Sequence, residues 1–308
     1  MRIALIGCGN WGKMILRDLK MLNCDVVVVS KAEKSRKNAI DGGAIEIFNS
    51  IEEVTNIDGV VVAVNTIYHY QEIINVLQSQ GNIPIFCEKP LCVNSSEAYE
   101  LFKKAPDNLF VMDKWRYHRG ILELARLAKE GTMGTLKGIK LIRNGWGNPH
   151  NDVDCTWHLL PHDLSIVLEI LGYIPEPKFA MFDQTKFGIQ GMSGWMADEK
   201  YWVSFEVSER YPGHKRNTVV YFDEGFAQLT DAYHDSIEIF FTSNAHLGKK
   251  PVPEILSYKN DLPLYMELKT FTNFIKDGNK TAPKSSAYEG YTIVKTIEKL
   301  REIAKIST

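Results

Sequence analysis

The chain has 308 residues, with 36 lysines and arginines against 38 aspartates and glutamates, for a formal net charge of −2. Hydrophobic residues make up 44% and charged residues 24%, the balance of a water-soluble globular protein, and the length predicts about two domains. Near-neutrality gives no global field to draw the chain to nucleic acid or to an acidic membrane. The longest apolar runs, such as 59–64, fall far below the roughly 20 residues of a membrane-spanning helix.

Five cysteines, Cys8, Cys24, Cys87, Cys92 and Cys155, are odd in number and form no C-x-x-C pair. They predict free thiols in a reducing compartment rather than a disulfide framework. A strand pattern begins at once at the N-terminus without a signal-peptide pattern, so the expected location is cytoplasmic.

The first informative element is the apolar run Ile3-Ala4-Leu5-Ile6, followed directly by Gly7-Cys8-Gly9-Asn10-Trp11-Gly12. A G-x-G-x-x-G spacing between a predicted strand and a predicted helix (13–21) has a mechanism. The first glycine permits the tight turn, the second lets backbone approach a pyrophosphate, and the third allows close helix–strand packing. Phosphate charge then meets the N–H groups of the helix N-terminus. The plainer reading is a tight strand-to-helix turn.

Strand and helix then alternate. A β-branched run at 25–29 reads as a strand buried on both faces, and a polar helix is predicted at 31–40, stopped by Gly42-Gly43. Ser50 and Glu53 suggest a capping box before a short helix. Strand 59–64, helix 70–80, strand 83–87, a helix starting near Ser95 and strand 109–112 complete the series. Such alternation predicts a parallel, doubly wound sheet, here a dinucleotide-binding domain over 1–115.

Near Trp115 the pattern changes. A helix at 120–130, a strand at 135–143 and a polar loop at 144–155 precede a helix around 162–171, stopped by Gly172. Alternating segments between Phe179 and Phe241 predict a larger antiparallel or mixed sheet, and two helices, 264–276 and 286–305, close the chain. Residues 116–308 are accordingly expected to form a second α/β domain.

Several of these segments together resemble the Gfo/Idh/MocA oxidoreductases. They are the glycine loop, the strand and polar loop from Val60 to His69, Glu88-Lys89-Pro90, His162-Asp163-Leu164 leading to Leu171-Gly172, and the closing pattern Leu264, Glu267, Phe271, Ile275, Gly278. The resemblance implies a Rossmann domain followed by an α/β domain with a large open, mostly antiparallel sheet. It also implies NAD(P)-dependent oxidation or reduction of a sugar, polyol or related small molecule.

Glu88-Lys89-Pro90 follows a buried strand and so lies at the carboxyl end of the sheet, where doubly wound folds bind ligands. A partly desolvated lysine beside a positively charged nicotinamide has its pKa pushed down and can exchange a proton with the substrate oxygen. Lys89 is therefore the first catalytic candidate, and Glu88 is expected to orient it or bond the cofactor. His162, placed by the pattern at a helix start, is the second candidate, since the resemblance implies a substrate-facing histidine working with the lysine. Four residues before it the family often has an acid, whereas this chain has His158. A subgroup acting on nucleotide-linked sugars shares that departure and a segment like Pro161-His162-Asp163. His158 is thus a third candidate, for substrate or for packing. The His158/His162 spacing, with His150, Asp152 and Asp154 nearby, also suits metal ligands, but nothing completes a site, and no metal is expected. The segment 150–157 is expected to be a loop shaping the substrate pocket.

For the cofactor, an acid at the end of the second strand would favour NAD, and a basic or small polar group NADP. The chain there reads Ser30-Lys31, with Lys34 and Arg36 following and Glu33 as the nearest acid, so NADP(H) is expected over NAD(H). Asn10 and Trp11 offer backbone N–H groups to the pyrophosphate. Asn65, Thr66 and His69 are expected near the nicotinamide ribose by the resemblance, and Trp115 and Arg116 near the crevice. Each could instead be loop packing. The expected partners are a sugar-like small molecule and, from the resemblance, further copies of the chain in a homodimer or homotetramer, with aromatics near Trp195, Tyr201, Trp202 and Tyr221 on the shared face. The competing function is a catalytically silent cofactor-binding regulator, against which the pair Lys89 and His162 argues.

Overall fold

The computed structural model describes residues 1–148, 152–231, 233–242, 248, 251–259, 261–278 and 280–307. They form two compact units, one of Met1–Lys114 with Leu262–Val294, the other of Trp115–Asp261 with Lys295–Thr308.

The first unit is built on a six-stranded parallel sheet of β1 (Arg2–Ile6), β2 (Asp25–Val29), β3 (Glu46–Phe48), β4 (Gly59–Val62), β5 (Ile85–Glu88) and β6 (Leu109–Met112), in the order β3-β2-β1-β4-β5-β6. The chain order reverses between β1 and β4, which defines the crevice where such sheets bind ligands. The strands are short apolar runs because they are buried on both faces: Ile3, Ala4 and Leu5 of β1 and Val26, Val27 and Val28 of β2 are fully buried. Helices α1 (Gly12–Met21), α2 (Glu33–Asp41), α3 (His69–Gln80) and α4 (Ser95–Lys104) connect them. The strand β3, Glu46-Ile47-Phe48, is only three residues long and is not among the elements expected from the sequence. Ser50 and Glu53 do not form a capping box. The Ser50 side chain makes no cap bond, and Glu53 accepts instead from the Asn49 N–H at 3.2 Å.

The helix α7 (Pro263–Lys276) returns to this first sheet. Its face of Leu264, Leu268, Phe271 and Phe274 enters the core formed by Ile15, Leu16 and Leu19 of α1 with Phe86 and Phe110. Phe271 stacks on Phe86 at 5.0 Å, and Phe274 meets Phe110 edge-on at 4.9 Å. Gly59 admits this approach, since a Cβ there would lie 2.7 Å from Ile275 Cδ1. A pattern read in chain order cannot see this return.

The second unit carries an eight-stranded sheet of β7 (Leu136–Trp146), β8 (Pro177–Thr185), β9 (Gly188–Ala197), β10 (Trp202–Ser208), β11 (Arg210–Phe222), β12 (Gly225–Leu229), β13 (Ser236–Phe241) and β14 (Glu254–Ser257). The order is β14-β13-β12-β11-β7-β10-β9-β8, antiparallel except where β10 runs parallel to β7. The fold is thus α/β, a parallel Rossmann-type sheet plus a large, mostly antiparallel one. Helices α5 (Arg119–Glu130) and α6 (Cys155–Leu171) pack within this unit. The last helix, α8 (Ala287–Ser307), begins in the first unit and ends in the second. Rings of Trp195, Trp202, Tyr221, Phe226 and Phe240 stack in series across the strands, each 4.7–5.9 Å from the next.

The helix expected around 162–171 starts seven residues earlier. Asp154 caps α6 by accepting from the Thr156 N–H at 2.9 Å, so 155–157 is helix rather than loop, and His150 lies outside the described residues. Proline is favoured in a first helical turn and disfavoured inside. In the structure Pro161 sits inside α6, and His162 lies in mid-helix rather than at an N-terminus.

Candidate functional site

In the first unit the glycine loop leaves β1 at Gly7, whose φ of +90° and whose Cβ position, 2.7 Å from the Ala63 carbonyl oxygen, exclude a side chain. A Cβ on Gly12 would lie 2.4 Å from the Gly7 oxygen, whereas a Cβ on Gly9 would meet nothing within 4 Å. Gly7 and Gly12 are therefore glycines for packing, and Gly9 faces open space. The loop's bonds leave the Gly9 and Asn10 N–H groups unused among the described residues, beside the N-terminus of α1. A cradle closed behind and open in front fits a diphosphate.

Two side chains of α2 that sequence reasoning missed fix this loop. The Cys8 N–H donates to Ser35 Oγ at 2.7 Å, and Asn38 Nδ2 donates to the Cys8 carbonyl at 2.8 Å. Burial pushes the Cys8 thiol up to about 11, so it is not a thiolate. At the tip of β2, Arg36 Nη1 donates to the Ser30 carbonyl at 2.9 Å and to Asn49 Oδ1 at 3.1 Å, and Lys31 is exposed. No carboxylate stands between Ser30 and Ala32.

At the end of β5, Glu88 joins two expected site segments: Trp11 Nε1 donates to Glu88 Oε1, and the Lys89 N–H donates to Oε2 at 3.2 Å. Burial raises the Glu88 carboxyl, opposed by the Lys89 charge, the Trp11 bond and Lys114. Lys114 Nζ lies 4.7 Å over the Trp11 ring. The Trp11 side chain, and not only its backbone, thus ties the glycine loop to the Lys89 turn. Lys89 is half-buried and precedes a cis peptide bond to Pro90.

Asn65 precedes a single 3-10 turn, Thr66–Tyr68, with Thr66 buried. The His69 ring is 1% exposed, with Nδ1 2.9 Å from the Pro90 carbonyl oxygen and Nε2 3.1 Å from the Val64 carbonyl oxygen. Both nitrogens are engaged by backbone, so His69 ties the loop after β4 to the turn after β5.

In the second unit Trp115, His118, Arg143, His162 and Asp163 form one cluster. Trp115 stacks on His118 at 5.3 Å, meets His162 edge-on at 6.5 Å, and carries the Arg143 guanidinium 4.5 Å over its ring. Arg143 Nε donates to Asp163 Oδ1 at 2.7 Å in a pair 4% and 2% exposed. Burial lowers Arg143 and raises Asp163, each opposed by the other's charge. Arg116 donates to Glu169 at 3.0 Å. His162 keeps partial exposure, while His158 is buried. All five cysteines are buried free thiols, and among the described residues no helix is long and apolar enough to cross a membrane.

Comparison with known proteins agrees with this fold. Residues 1–111 match the Gfo/Idh/MocA model, described as an oxidoreductase family with an NAD-binding Rossmann fold. The resemblance read from the sequence is thereby shown for that segment. A curated relative, the 2,7-anhydro-N-acetylneuraminate hydratase of Escherichia coli (strain K12), is 24% identical over 190 residues, 56% of this chain and 50% of that protein. The matched segment thus spans about half the length of this relative. The fold extends further. The UDP-N-acetylglucosamine 3-dehydrogenase of Acidithiobacillus ferrooxidans superposes with a TM-score of 0.83 at 18% identity, covering 99% of this chain and 98% of that one. A levoglucosan dehydrogenase in complex with NADH and levoglucosan gives 0.84 at 14% identity, covering 100% and 98%.

Proposed function

We propose that the protein is an NADP(H)-dependent oxidoreductase transferring hydride between the nicotinamide and a sugar, nucleotide-sugar or polyol-like substrate. The observation that carries this reading is the glycine cradle, open at Gly9, followed by a β2 tip with no carboxylate. Gly7, Gly9, Asn10, Trp11 and Gly12 hold the diphosphate, and Asn65 and Thr66 lie by the nicotinamide ribose. Ser30 and Lys31 meet the 2′-phosphate, with Arg36 held beside them. The bound cofactor supplies the hydride acceptor or donor. Lys89 and His162 handle the hydroxyl proton that must leave when the carbinol carbon gives up hydride. Glu88 holds the Lys89 turn, and His69 braces it from behind. The dehydrogenase neighbours support a sugar substrate, and the stacked rings of the second sheet suit self-association as a homodimer or homotetramer. The free thiols support a reducing, cytoplasmic setting.

The test is a screen of sugars, polyols and nucleotide sugars for NADPH or NADP turnover, followed by Lys89→Ala on the confirmed substrate. Turnover is expected to fall about 100-fold or more with NADPH binding retained; unchanged turnover refutes the role of Lys89. The hydratase relative supports a second reading, water loss or addition on a sugar. That reading predicts product formation with no net change in NADPH.

A further inference from the structure

Arg216 is the exception among the ten arginines of the chain. The other nine each donate to a carboxylate or carbonyl oxygen. The Arg216 guanidinium makes no hydrogen bond or ion pair among the described residues. The β7–β11 ladder places Arg216 directly opposite Arg143, and cross-strand partners share one face of a sheet. Arg143 reaches Asp163 of α6 from that face, so Arg216 lies on the helix-covered side, opposite the stacked rings of Trp202 and Tyr221. Along β11 burial falls in steps of two: Val220 and Thr218 are buried, Arg216 is half-buried and His214 is exposed. Arg216 therefore stands where the covered face opens. A Cβ on Gly145, two residues beyond Arg143, would lie 3.3 Å from the His214 ring, which puts that imidazole on the same rim.

Like charges directly opposite one another on a ladder repel. Behind burial and the pair's own attraction, the Arg216 charge lowers both Arg143 and Asp163, so both feel it. Two guanidiniums thus stand beside one carboxylate, and Asp163 gives its Oδ1 to Arg143. The other acids of the unit do not supply a second charge. Glu206, on the opposite face of β10, accepts from Asn144, Glu169 is held by Arg116 and Asp183 by Arg210. Continuing the β11–β12 register two residues past Thr218 and Leu229 brings Asp231 opposite Arg216, where its Oδ1 accepts from the Tyr233 N–H at 2.9 Å. A second donor of the cluster is also unmatched. Trp115, 5% exposed and carrying Arg143 over its ring, has a buried Nε1–H with no acceptor among the described residues. Buried donors are nearly always paired, so this one points to a ligand oxygen.

We propose that Arg216, with the Trp115 indole N–H, forms an anion-binding site within the second unit, and that it takes a carboxylate or phosphate group of a sugar derivative. A guanidinium presents paired N–H donors that match two oxygens of either group, and an indole N–H adds one more. The bound anion supplies the negative charge that the Arg143–Arg216 pair lacks. A neutral hydroxyl would leave that charge uncompensated. The inference deepens the proposed function by giving the substrate a negative charge, and only the step from ligand to substrate rests on that reading.

Isothermal titration of the full chain without cofactor tests the site. Methyl glucuronide serves as the carboxylate probe, glucose 1-phosphate as the phosphate probe and methyl glucoside as the neutral control. The wild type is expected to bind at least one anionic probe more tightly than the control, and the probe that binds identifies the source of the charge. Arg216→Gln should weaken that binding about tenfold or more, while Arg216→Lys, which keeps the charge but not the paired donors, should retain part of it. Without ligand, the urea midpoint of Arg216→Gln should equal or exceed that of the wild type, since a like charge opposite Arg143 is gone. A fall in that midpoint with anion binding unchanged would mean that Arg216 closes on Asp163 Oδ2, which has no donor among the described residues, and overturns the site. So does a wild type that binds neither anionic probe, or equal affinities in wild type and Arg216→Gln. Anion binding lost in Arg216→Gln, with no sugar turned over by the wild type, refutes the proposed function and leaves the site standing; turnover confined to neutral sugars with no anion bound does the reverse.

Discussion

The glycine loop of the first unit and the histidine turns of α6 in the second are both expected to meet ligands, yet they are held by different physics. The loop is fixed by backbone: a positive φ at Gly7, van der Waals closure at Gly7 and Gly12, and short bonds from Ser35 and Asn38. The α6 turns are fixed by buried charge, with Arg143 on Asp163 and Glu209 on His158. Backbone closure leaves a signature in consecutive residues, whereas buried charge pairs couple positions 20 and 51 apart in the chain. The second kind also carries carboxyls, Asp163 and Glu209, that burial raises above their ordinary value.

The largest effect that sharpens this contrast is on the charge side. Arg143→Met should cost about 3–5 kcal/mol by leaving Asp163 buried without its cation, read as a fall in the urea midpoint. Adding Asp163→Leu should return most of it; a double variant as unstable as the single would show that packing on Trp115, not charge, was lost. On the backbone side, Gly7→Ala should cost about 1–3 kcal/mol through its left-handed φ and the Ala63 oxygen, with loss of NADPH binding. Binding at wild-type affinity would contradict the closure argument.

The pH contrast comes next. The folded-state value of Glu209, about 7, lies above its unfolded value of about 4.5, so the native state holds a proton that the unfolded state releases. Its stabilising contribution is present below the unfolded value and lost as pH rises through about 7. Unfolding measured between pH 4.5 and 8 should therefore show a falling component that Glu209→Gln removes. The smallest effect belongs to Ser35→Ala, which should cost about 1 kcal/mol and weaken NADPH binding severalfold while the fold persists. An unchanged affinity would mean that the loop holds its shape without α2.

Much of the fold is legible because its causes are local. Strand β2 matches the run at 25–29, and α1, α3 and α5 start within a residue of their predicted positions. The failures have long-range causes. Helix α7 joins the first sheet because Phe271 and Phe274 pack on Phe86 and Phe110, partners 185 and 164 residues earlier. The start of α6 is set by Asp154, whose carboxylate is shared with Arg301 of α8. Glu209 escaped notice for the same reason, since nothing in its neighbourhood of the sequence links it to His158. His69 was placed by resemblance beside a cofactor, and what no local pattern foretells is that its ring nitrogens lie by the Pro90 and Val64 carbonyl oxygens.

The central claim is that the glycine loop and the acid-free tip of β2 together hold a nicotinamide dinucleotide carrying a 2′-phosphate. Equilibrium titration of the purified full chain with NADPH and with NADH, followed by cofactor fluorescence, tests it most directly. The account predicts saturable binding of both with NADPH tighter by about tenfold, about 1.4 kcal/mol, and a smaller difference in Lys31→Ala. Tighter binding of NADH, or no binding of either, would contradict it.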